Sequence, residues 1–162
     1  MGRVISKEEL LRKRQLWREA GRTVVFTNGC FDLIHVGHIR SIQDAAELGD
    51  ILVVGLNSDE SVRKLKGSGR PLQEESSRGE VVASIRGVDY VCFFEEPSAD
   101  VLIRLLQPDV HAKGTDYTEA NVPERDSVLS YGGRIAITGD TKEHSTKDLI
   151  GEIRRRCKLD NS

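Results

Sequence analysis

The chain has 162 residues, 38% hydrophobic and 31% charged, a composition typical of one globular domain. Its net charge of −2 at pH 7 gives no reason to expect binding to nucleic acid or to an anionic membrane. No apolar run approaches the ~20 residues of a membrane span, and residues 1–21 lack the apolar core of a signal peptide. The three cysteines are far apart, which argues against a disulfide framework or zinc cluster and favours a reducing cytoplasm.

The first half of the chain alternates predicted helices and strands. Ser6 is a suitable N-cap for a first helix, and Gly21 ends it. After the first strand, the pair Asn28-Gly29 favours a tight turn with positive φ. The predicted elements are a helix at 6–18, a strand at 23–27, a helix at 36–48, a strand at 51–56 and a short helix at 59–65.

The second half continues the alternation. The predicted elements are a helix at 74–86, a strand at 89–94, a helix at 99–106, a strand at 110–113, a weaker helix at 120–131, a strand at 134–138 and a helix at 145–157. This order predicts an α/β, Rossmann-like, doubly wound parallel sheet in a three-layer α/β/α arrangement. Ligands bind such sheets at the carboxyl ends of the strands. Four candidate loops lie at that edge: 27–38, 57 onward, 113–117 and 139–146.

Two histidines, His35 and His38, fall between the end of the first strand and the start of a helix. Unpaired N–H groups and the helix dipole attract phosphate at such a point, and Gly37 permits a close approach. Nucleotidyl transfer needs donors around a phosphorus whose oxygens gain charge in the transition state. The alternatives are two exposed polar residues, or a metal pair, although no Cys, Asp or Glu stands nearby at the usual zinc spacing.

The segment TNGCFDLIHVGH at 27–38 resembles the signature of the cytidylyltransferase-like nucleotidyltransferases, whose hallmark is His-x-Gly-His after the first strand. Its Asn-Gly-Cys-Phe-Asp form is similar to the branch of adenylyltransferases that make ADP-heptose from heptose 1-phosphate and ATP. Further matching segments follow in order over 23–153, including Lys66-Gly67 with Arg70-Pro71, Lys113-Gly114, Asp116-Tyr117 and Ser145-Thr146. The resemblance implies a helical lead-in at 1–22, a nucleotidyltransferase domain at 23–157 and a frayed tail at 158–162.

The resemblance also implies site residues. The catalytic donors are expected to be His35, His38, Lys66 and Lys113. The residues expected to bind the nucleotide are Thr27, Asn28, Gly29, Cys30, Phe31, Asp32, Gly37, Asn57, Asp116, Ser145 and Thr146. The residues expected to bind substrate phosphate are Arg70, Arg78 and Lys142. The implied substrates are ATP with Mg²⁺ and a sugar 1-phosphate, and the implied assembly is a cytoplasmic homodimer.

Several residues keep a second interpretation. Lys66 and Arg70 also fit a solvated surface loop, and Ser145-Thr146 also fits a capping box that simply starts a helix. His111 is expected to be structural, His144 is a weak site candidate, and Cys30 is expected to be a small packing residue.

Two positions depart from the family pattern. Thr115 stands where the branch commonly has a second glycine, and Asp140 stands where the cytidine-nucleotide relatives have an arginine. The open alternatives are a glycerol-3-phosphate cytidylyltransferase, an FMN adenylyltransferase, and a nucleotide-binding regulatory domain without turnover.

Overall fold

The computed structural model describes residues 1–140 and 146–157. Its strands are β1 (Arg3–Val4), β2 (Val24–Gly29), β3 (Ile51–Asn57), β4 (Tyr90–Phe94), β5 (Val110–Gly114) and β6 (Arg134–Thr138). Its helices are α1 (Lys7–Glu19), α2 (Val36–Ala46), α3 (Asp59–Lys66), α4 (Glu75–Ala83), α5 (Asp100–Leu106), α6 (Arg125–Ser130) and α7 (Thr146–Cys157). No helix in this part of the chain is long and apolar enough to cross a membrane.

The six strands form one parallel sheet in the order β1-β4-β3-β2-β5-β6. Val24, Val25 and Phe26 on the central strand β2 are fully buried, as expected for a strand covered on both faces. Helices α1, α5 and α6 pack on one face, and α2 and α4 pack on the other. The predicted doubly wound, three-layer α/β/α fold is therefore confirmed.

Each face of the sheet has its own apolar core. On one side, Leu10 of α1 and Leu106 of α5 pack in the cluster that contains Phe26. On the other side, Ile42 of α2 and Val82 of α4 pack with the opposite face. These two cores hold α1 and α2 against the sheet, so the start of α2 is fixed beside the end of β2.

Two local features of the structure differ from the prediction. The strand β1 was not predicted, because its two residues are too few to show an alternating pattern of hydrophobic and polar residues. It pairs with β4 and brings the N-terminal lead-in into the sheet. The turn predicted at Asn28-Gly29 was wrong, because β2 continues through Gly29 in register with β3. The left-handed conformation falls instead at Phe31, with φ of 46°.

Two helices are shorter than predicted. Helix α4 ends at Ala83, and α6 begins only at Arg125. Before α6, the side-chain oxygen of Asn121 accepts a hydrogen bond from the Thr118 backbone N–H at 2.7 Å. This local side-chain bond competes with helix formation and keeps the segment irregular.

The order of the strands creates a crevice between β2 and β5. From β2 the chain moves outward through β3 to β4, and it then returns to the other side of β2 to form β5 and β6. The loops that leave β2 and β5 consequently diverge at their carboxyl ends. A position of this kind is the usual ligand site of an open α/β sheet.

Candidate active site

A cleft of about 650 Å³ opens at the carboxyl ends of the strands. It brings together most of the predicted site residues, although they come from four separate loops. Those that line it are Thr27, Asn28, Gly29, Cys30, Phe31, Asp32, His35, Gly37, His38, Asn57, Lys66, Arg70, Lys113, Asp116 and Thr146. The predicted Lys142 and Ser145, and the weaker candidate His144, lie outside the described residues.

The two histidines stack at the start of α2. The ring centroids of His35 and His38 are 3.9 Å apart, with 28° between the ring planes. His35 is the N-cap residue, and its backbone N–H donates to Nδ1 of His38 over 3.4 Å. Phe31 supports the pair from the side, because its ring meets the His38 ring edge-on at 5.3 Å.

This geometry defines the protonation state of His38. Burial, together with the adjacent His35, lowers the pKa of His38 to about 4, although Asp116 acts in the opposite direction. The ring is therefore neutral at pH 7. Because Nδ1 accepts from His35, the proton resides on Nε2, which can donate to a phosphate oxygen. His38 is thus a neutral hydrogen-bond donor in the ligand-free protein.

Lys113 lies across the crevice from these histidines, at the end of β5. Its ammonium group donates to Oδ1 of Asn28 at 3.1 Å and lies 4.9 Å from the centre of the Tyr117 ring. The side chain is only 8% exposed, and burial lowers its pKa. The Asn28 bond joins β2 to β5 at the point where the two strands separate.

Glu124 is a cleft residue that the sequence analysis did not identify. It is the N-cap residue of α6, and its carboxylate lies 3.7 Å from the ammonium of Lys113. Its other close neighbour is Nε2 of His111, at 3.4 Å. His111 is fully buried and also faces the carbonyl oxygen of Phe26 at 3.3 Å, in agreement with its expected structural role.

The placement of Arg78 corrects the expectation that its guanidinium contacts phosphate. The residue is fully buried and does not line the cleft. Its guanidinium donates to the carbonyl oxygens of Cys30, Asn57 and Gln73 at 2.7, 2.9 and 3.0 Å, and to the Asp59 carboxylate at 2.7 Å. Arg78 therefore ties together the loops that form one wall of the cleft.

Asp32 holds the loop that follows α3 in place through hydrogen bonds and an ion pair. Its carboxylate accepts from the backbone N–H groups of Leu72 and Gln73 at 2.8 and 3.1 Å. Arg70 Nε lies 2.6 Å from the same carboxylate, as an ion pair without the alignment of a hydrogen bond. These contacts are to the loop, so the nucleotide contact expected of Asp32 stays a prediction.

Lys66 and Cys30 occupy opposite environments in the cleft. Lys66 is exposed at the end of α3, just before Gly67, whose φ is 97°. Burial raises the pKa of the Cys30 thiol, and its Sγ lies 3.8 Å from Oδ1 of Asn57. The thiol is therefore protonated at pH 7, and this placement agrees with a packing role.

The two departures from the family pattern contact each other at the cleft rim. The hydroxyl of Thr115 donates to the carbonyl oxygen of Asp140 at 2.9 Å. The carboxylate of Asp140 pairs with Arg40 on α2. Beyond the gap in the described chain, Thr146 Oγ1 donates to the carbonyl oxygen of Leu33 at 3.2 Å. These contacts join the ends of β5 and β6 to α2.

The fold and the cleft together define an α/β protein with a candidate phosphate-binding site at the carboxyl edge of its sheet. The start of a helix, the Nε2–H of His38 and the cations Lys66, Arg70 and Lys113 all face one space. Within residues 1–140 and 146–157, no group of three His, Cys, Asp or Glu side chains could hold a metal ion.

Comparison with known proteins identifies the family. The cytidylyltransferase-like family model matches residues 26–151, and the chain belongs to that family. The bifunctional protein HldE of Trichlorobacter lovleyi is 49% identical over 139 residues, 86% of this chain and 28% of that protein. HldE of Syntrophotalea carbinolica is 47% identical over 147 residues, 91% of this chain and 30% of that protein. The chain thus spans less than a third of the length of these curated relatives.

Two solved structures share the fold. The lipopolysaccharide core biosynthesis protein from Thermoplasma volcanium has a TM-score of 0.64 at 26% identity, covering 75% of this chain and 100% of that chain. Pantothenate synthetase from Thermus thermophilus has a TM-score of 0.65 at 17% identity, covering 95% of this chain and 70% of that chain, and shows the fold alone. The matches confirm the family predicted from the sequence, and the HldE relatives agree with the predicted branch.

Proposed function

We propose that the chain is a nucleotidyltransferase that joins ATP to a sugar 1-phosphate, heptose 1-phosphate in particular, and releases pyrophosphate. The observation that carries this proposal is the convergence of His38, Lys66 and Lys113 on one cleft at the start of α2. The choice of ATP and heptose is supported by the resemblance of residues 23–153 to the ADP-heptose branch, with which the similarity to HldE proteins agrees. The Thermoplasma volcanium protein of lipopolysaccharide core biosynthesis supports a role in making a surface-glycan precursor.

The proposed reaction is an in-line displacement at the α-phosphorus. An oxygen of the sugar phosphate forms the new P–O bond, and the bond to the β-phosphate breaks so that pyrophosphate leaves. No covalent intermediate on the protein is needed. The two reactants are held side by side, and their encounter is made effectively intramolecular.

The protein contributes hydrogen bonds and positive charge. The Nε2–H of His38 and the N–H groups at the start of α2 donate to phosphate oxygens as the negative charge on these oxygens increases. Lys66, Arg70 and Lys113 offset the charge of the triphosphate and of the attacking phosphate.

Mg²⁺ enters this proposal as part of the substrate. Mg²⁺ prefers phosphate oxygens and water, and it neutralises charge on the leaving pyrophosphate. The cleft offers Lys66 and Arg70 as further cations for the same phosphates. We therefore propose Mg-ATP as the nucleotide substrate.

A substrate panel tests the proposal. Pyrophosphate release is measured for ATP and CTP, each paired with heptose 1-phosphate, glycerol 3-phosphate and FMN. The proposal requires ATP with heptose 1-phosphate to be the best pair. CTP with glycerol 3-phosphate, or ATP with FMN, as the best pair would reassign the branch. Binding of ATP without turnover of any acceptor would instead identify a regulatory domain.

We also propose a cytoplasmic location and a homodimer, both of which follow from the family resemblance. A cytoplasmic location fits a reaction that consumes ATP. Analytical ultracentrifugation of the purified chain tests the assembly, because a dimer has twice the chain mass of 18.0 kDa. A monomer at all accessible concentrations contradicts that part of the proposal.

A further inference from the structure

Glu124 is a buried residue that lines the cleft, where it faces two side chains of β5. It is 3% exposed and stands at the start of α6. Its Oε2 atom is 3.7 Å from Nζ of Lys113 and 3.4 Å from Nε2 of His111. His111 and Lys113 are two residues apart on β5, so they project from the same side of the sheet towards one carboxylate.

Lys113 needs this carboxylate because its other contacts carry no charge. Its ammonium group donates to the Asn28 amide oxygen and lies over the Tyr117 ring. A buried ammonium without a counterion loses its proton readily, since desolvation disfavours the charged form. In the described part of the chain, the carboxylate that pairs with Lys113 is Glu124.

His111 adds a second reason for Glu124 to stay ionised. Its two ring nitrogens face two oxygen acceptors, the Phe26 carbonyl at 3.3 Å and the Glu124 carboxylate at 3.4 Å. Burial alone would raise the pKa of Glu124, but the His111 hydrogen bond and the Lys113 charge hold it at about 2. Glu124 is therefore negatively charged at the pH of the reaction.

We propose that Glu124 is the positioning residue that keeps Lys113 charged and directed into the cleft, so that phosphate binding at this end depends on the Glu124 carboxylate. This inference rests on the phosphate-binding role of Lys113 in the proposed function. Glu124 acts through Lys113 and takes no part in bond making. Its distance from the ammonium, 3.7 Å, suits a counterion that leaves the N–H groups of Lys113 available to a phosphate.

Other titratable groups lie near Lys113, and besides burial the charge of Glu124 also raises the pKa of one of them, Tyr117. The groups in contact with Lys113 are Glu124, Asn28 and Tyr117; His111 shares the Glu124 carboxylate, and Asp116, His35 and His38 line the same cleft. Burial and the charge of Glu124 raise the pKa of Tyr117, whereas burial lowers the pKa of His38. The comparison is therefore made in a Tyr117→Phe parent, whose ring keeps the contact with Lys113 but cannot ionise. In that parent, removal of Glu124 is expected to move the alkaline limb of the pH profile of ATP-analogue binding, which Lys113 sets, and to leave the acid limb in place.

The test compares Glu124→Gln and Glu124→Asp with Asp126→Asn as the matched control. Asp126 is two residues away, its side chain is 98% exposed, and it pairs with Arg125. The dissociation constant of α,β-methylene-ATP and the rate of pyrophosphate release are measured from pH 6 to pH 10. An opposite charge at this range shifts a pKa by about 1–3 units. As the pH rises, we expect Glu124→Gln to lose its affinity for α,β-methylene-ATP about 1–3 pH units earlier than the parent does. The pH profile of Asp126→Asn should match that of the parent.

Glu124→Asp keeps the negative charge but places it farther from Lys113, because the aspartate side chain is one methylene shorter. We therefore expect a smaller shift of the alkaline limb in the same direction. The proposal is overturned if Glu124→Gln and the parent lose their affinity for α,β-methylene-ATP at the same alkaline pH. If circular dichroism shows that Glu124→Gln does not fold, the pH profile of Glu124→Asp is used instead. An alkaline limb of Glu124→Asp at the same pH as that of the parent would then overturn the proposal. Failure of the proposed activity appears separately as a parent without turnover, because the analogue binds without reacting.

Discussion

Arg78 donates a hydrogen bond to the carbonyl oxygen of Cys30 at 2.7 Å, although the two residues are 48 positions apart in the chain. The same guanidinium holds the carbonyl of Asn57 and the carboxylate of Asp59. A buried cation therefore fixes the exits of β2 and β3 relative to each other. The wall of the cleft depends on a residue that does not line it.

Replacement of Arg78 by methionine is expected to destabilise the fold strongly. The change leaves three carbonyl oxygens and one carboxylate without their shared donor, and the loss of a buried ionic partner costs about 3–5 kcal/mol. Urea unfolding measures the free energy of unfolding. Arg86→Met, at an exposed position after α4, is the matched control and should stay within about 0.5 kcal/mol of the parent. A small effect for Arg78→Met would contradict the tethering role.

His38→Ala is expected to lose most of the turnover while keeping the fold. The loss of one donor to a developing charge lowers kcat by about 10²–10³-fold. Pyrophosphate release gives the rate, and thermal unfolding checks the fold. Glu47→Ala, at the exposed C-cap of the same helix, should retain the parent rate. Near-normal turnover in His38→Ala would remove His38 from the proposed mechanism.

The lowered pKa of His38 predicts a pH-dependent stability. In the unfolded chain a histidine titrates near 6.5, whereas in the folded protein the pKa of His38 is about 4. The unfolded state binds the proton first, so the stability from this residue is complete above pH 6.5 and is lost as the pH falls towards 4.

His38→Gln removes this titration. The free energy of unfolding of the parent should fall more than that of the variant between pH 7 and pH 4, by on the order of 1–3 kcal/mol. Urea titrations at several pH values give the slope of the free energy of unfolding against pH for the parent and for the variant. Parallel slopes would mean that His38 is not held neutral in the folded protein.

Asp32→Asn is expected to loosen the loop that carries Arg70. The substitution removes the negative charge that pairs with Arg70 and weakens the acceptor of the Leu72 and Gln73 N–H groups. Amide hydrogen exchange at Leu72 and Gln73 should accelerate, since their bonds open more often. The KM for ATP should rise more than kcat falls, because the loop holds a phosphate-binding cation. Unchanged exchange at these two amides would contradict the anchoring role.

The sequence predicted the parts of the site that are local. The loop after β2 with its two histidines, and Lys113 near the end of β5, could be located because parallel strands end at one edge of the sheet. The course of β2 past Asn28-Gly29 could not be predicted, because pairing with β3 over the full strand outweighs the local preference for a turn.

Residues whose roles depend on distant partners were missed or misplaced. Glu124 stands in an irregular segment, and no spacing shows that its carboxylate meets Lys113 and His111. Arg78 was expected to bind phosphate because it matches a helix arginine that members of the resembled family direct at phosphate. Its four acceptors come from three other segments, so its burial follows from the tertiary fold alone.

The most direct test of the central claim is the identity of the product. The purified chain is incubated with ATP, Mg²⁺ and heptose 1-phosphate, and the mixture is analysed by ³¹P NMR and mass spectrometry. Adenylyl transfer to the sugar phosphate predicts ADP-heptose and pyrophosphate in equal amounts, formed about 10²–10³-fold more slowly by His38→Ala. Unchanged ATP and heptose 1-phosphate in the presence of the folded parent protein would contradict the proposed function.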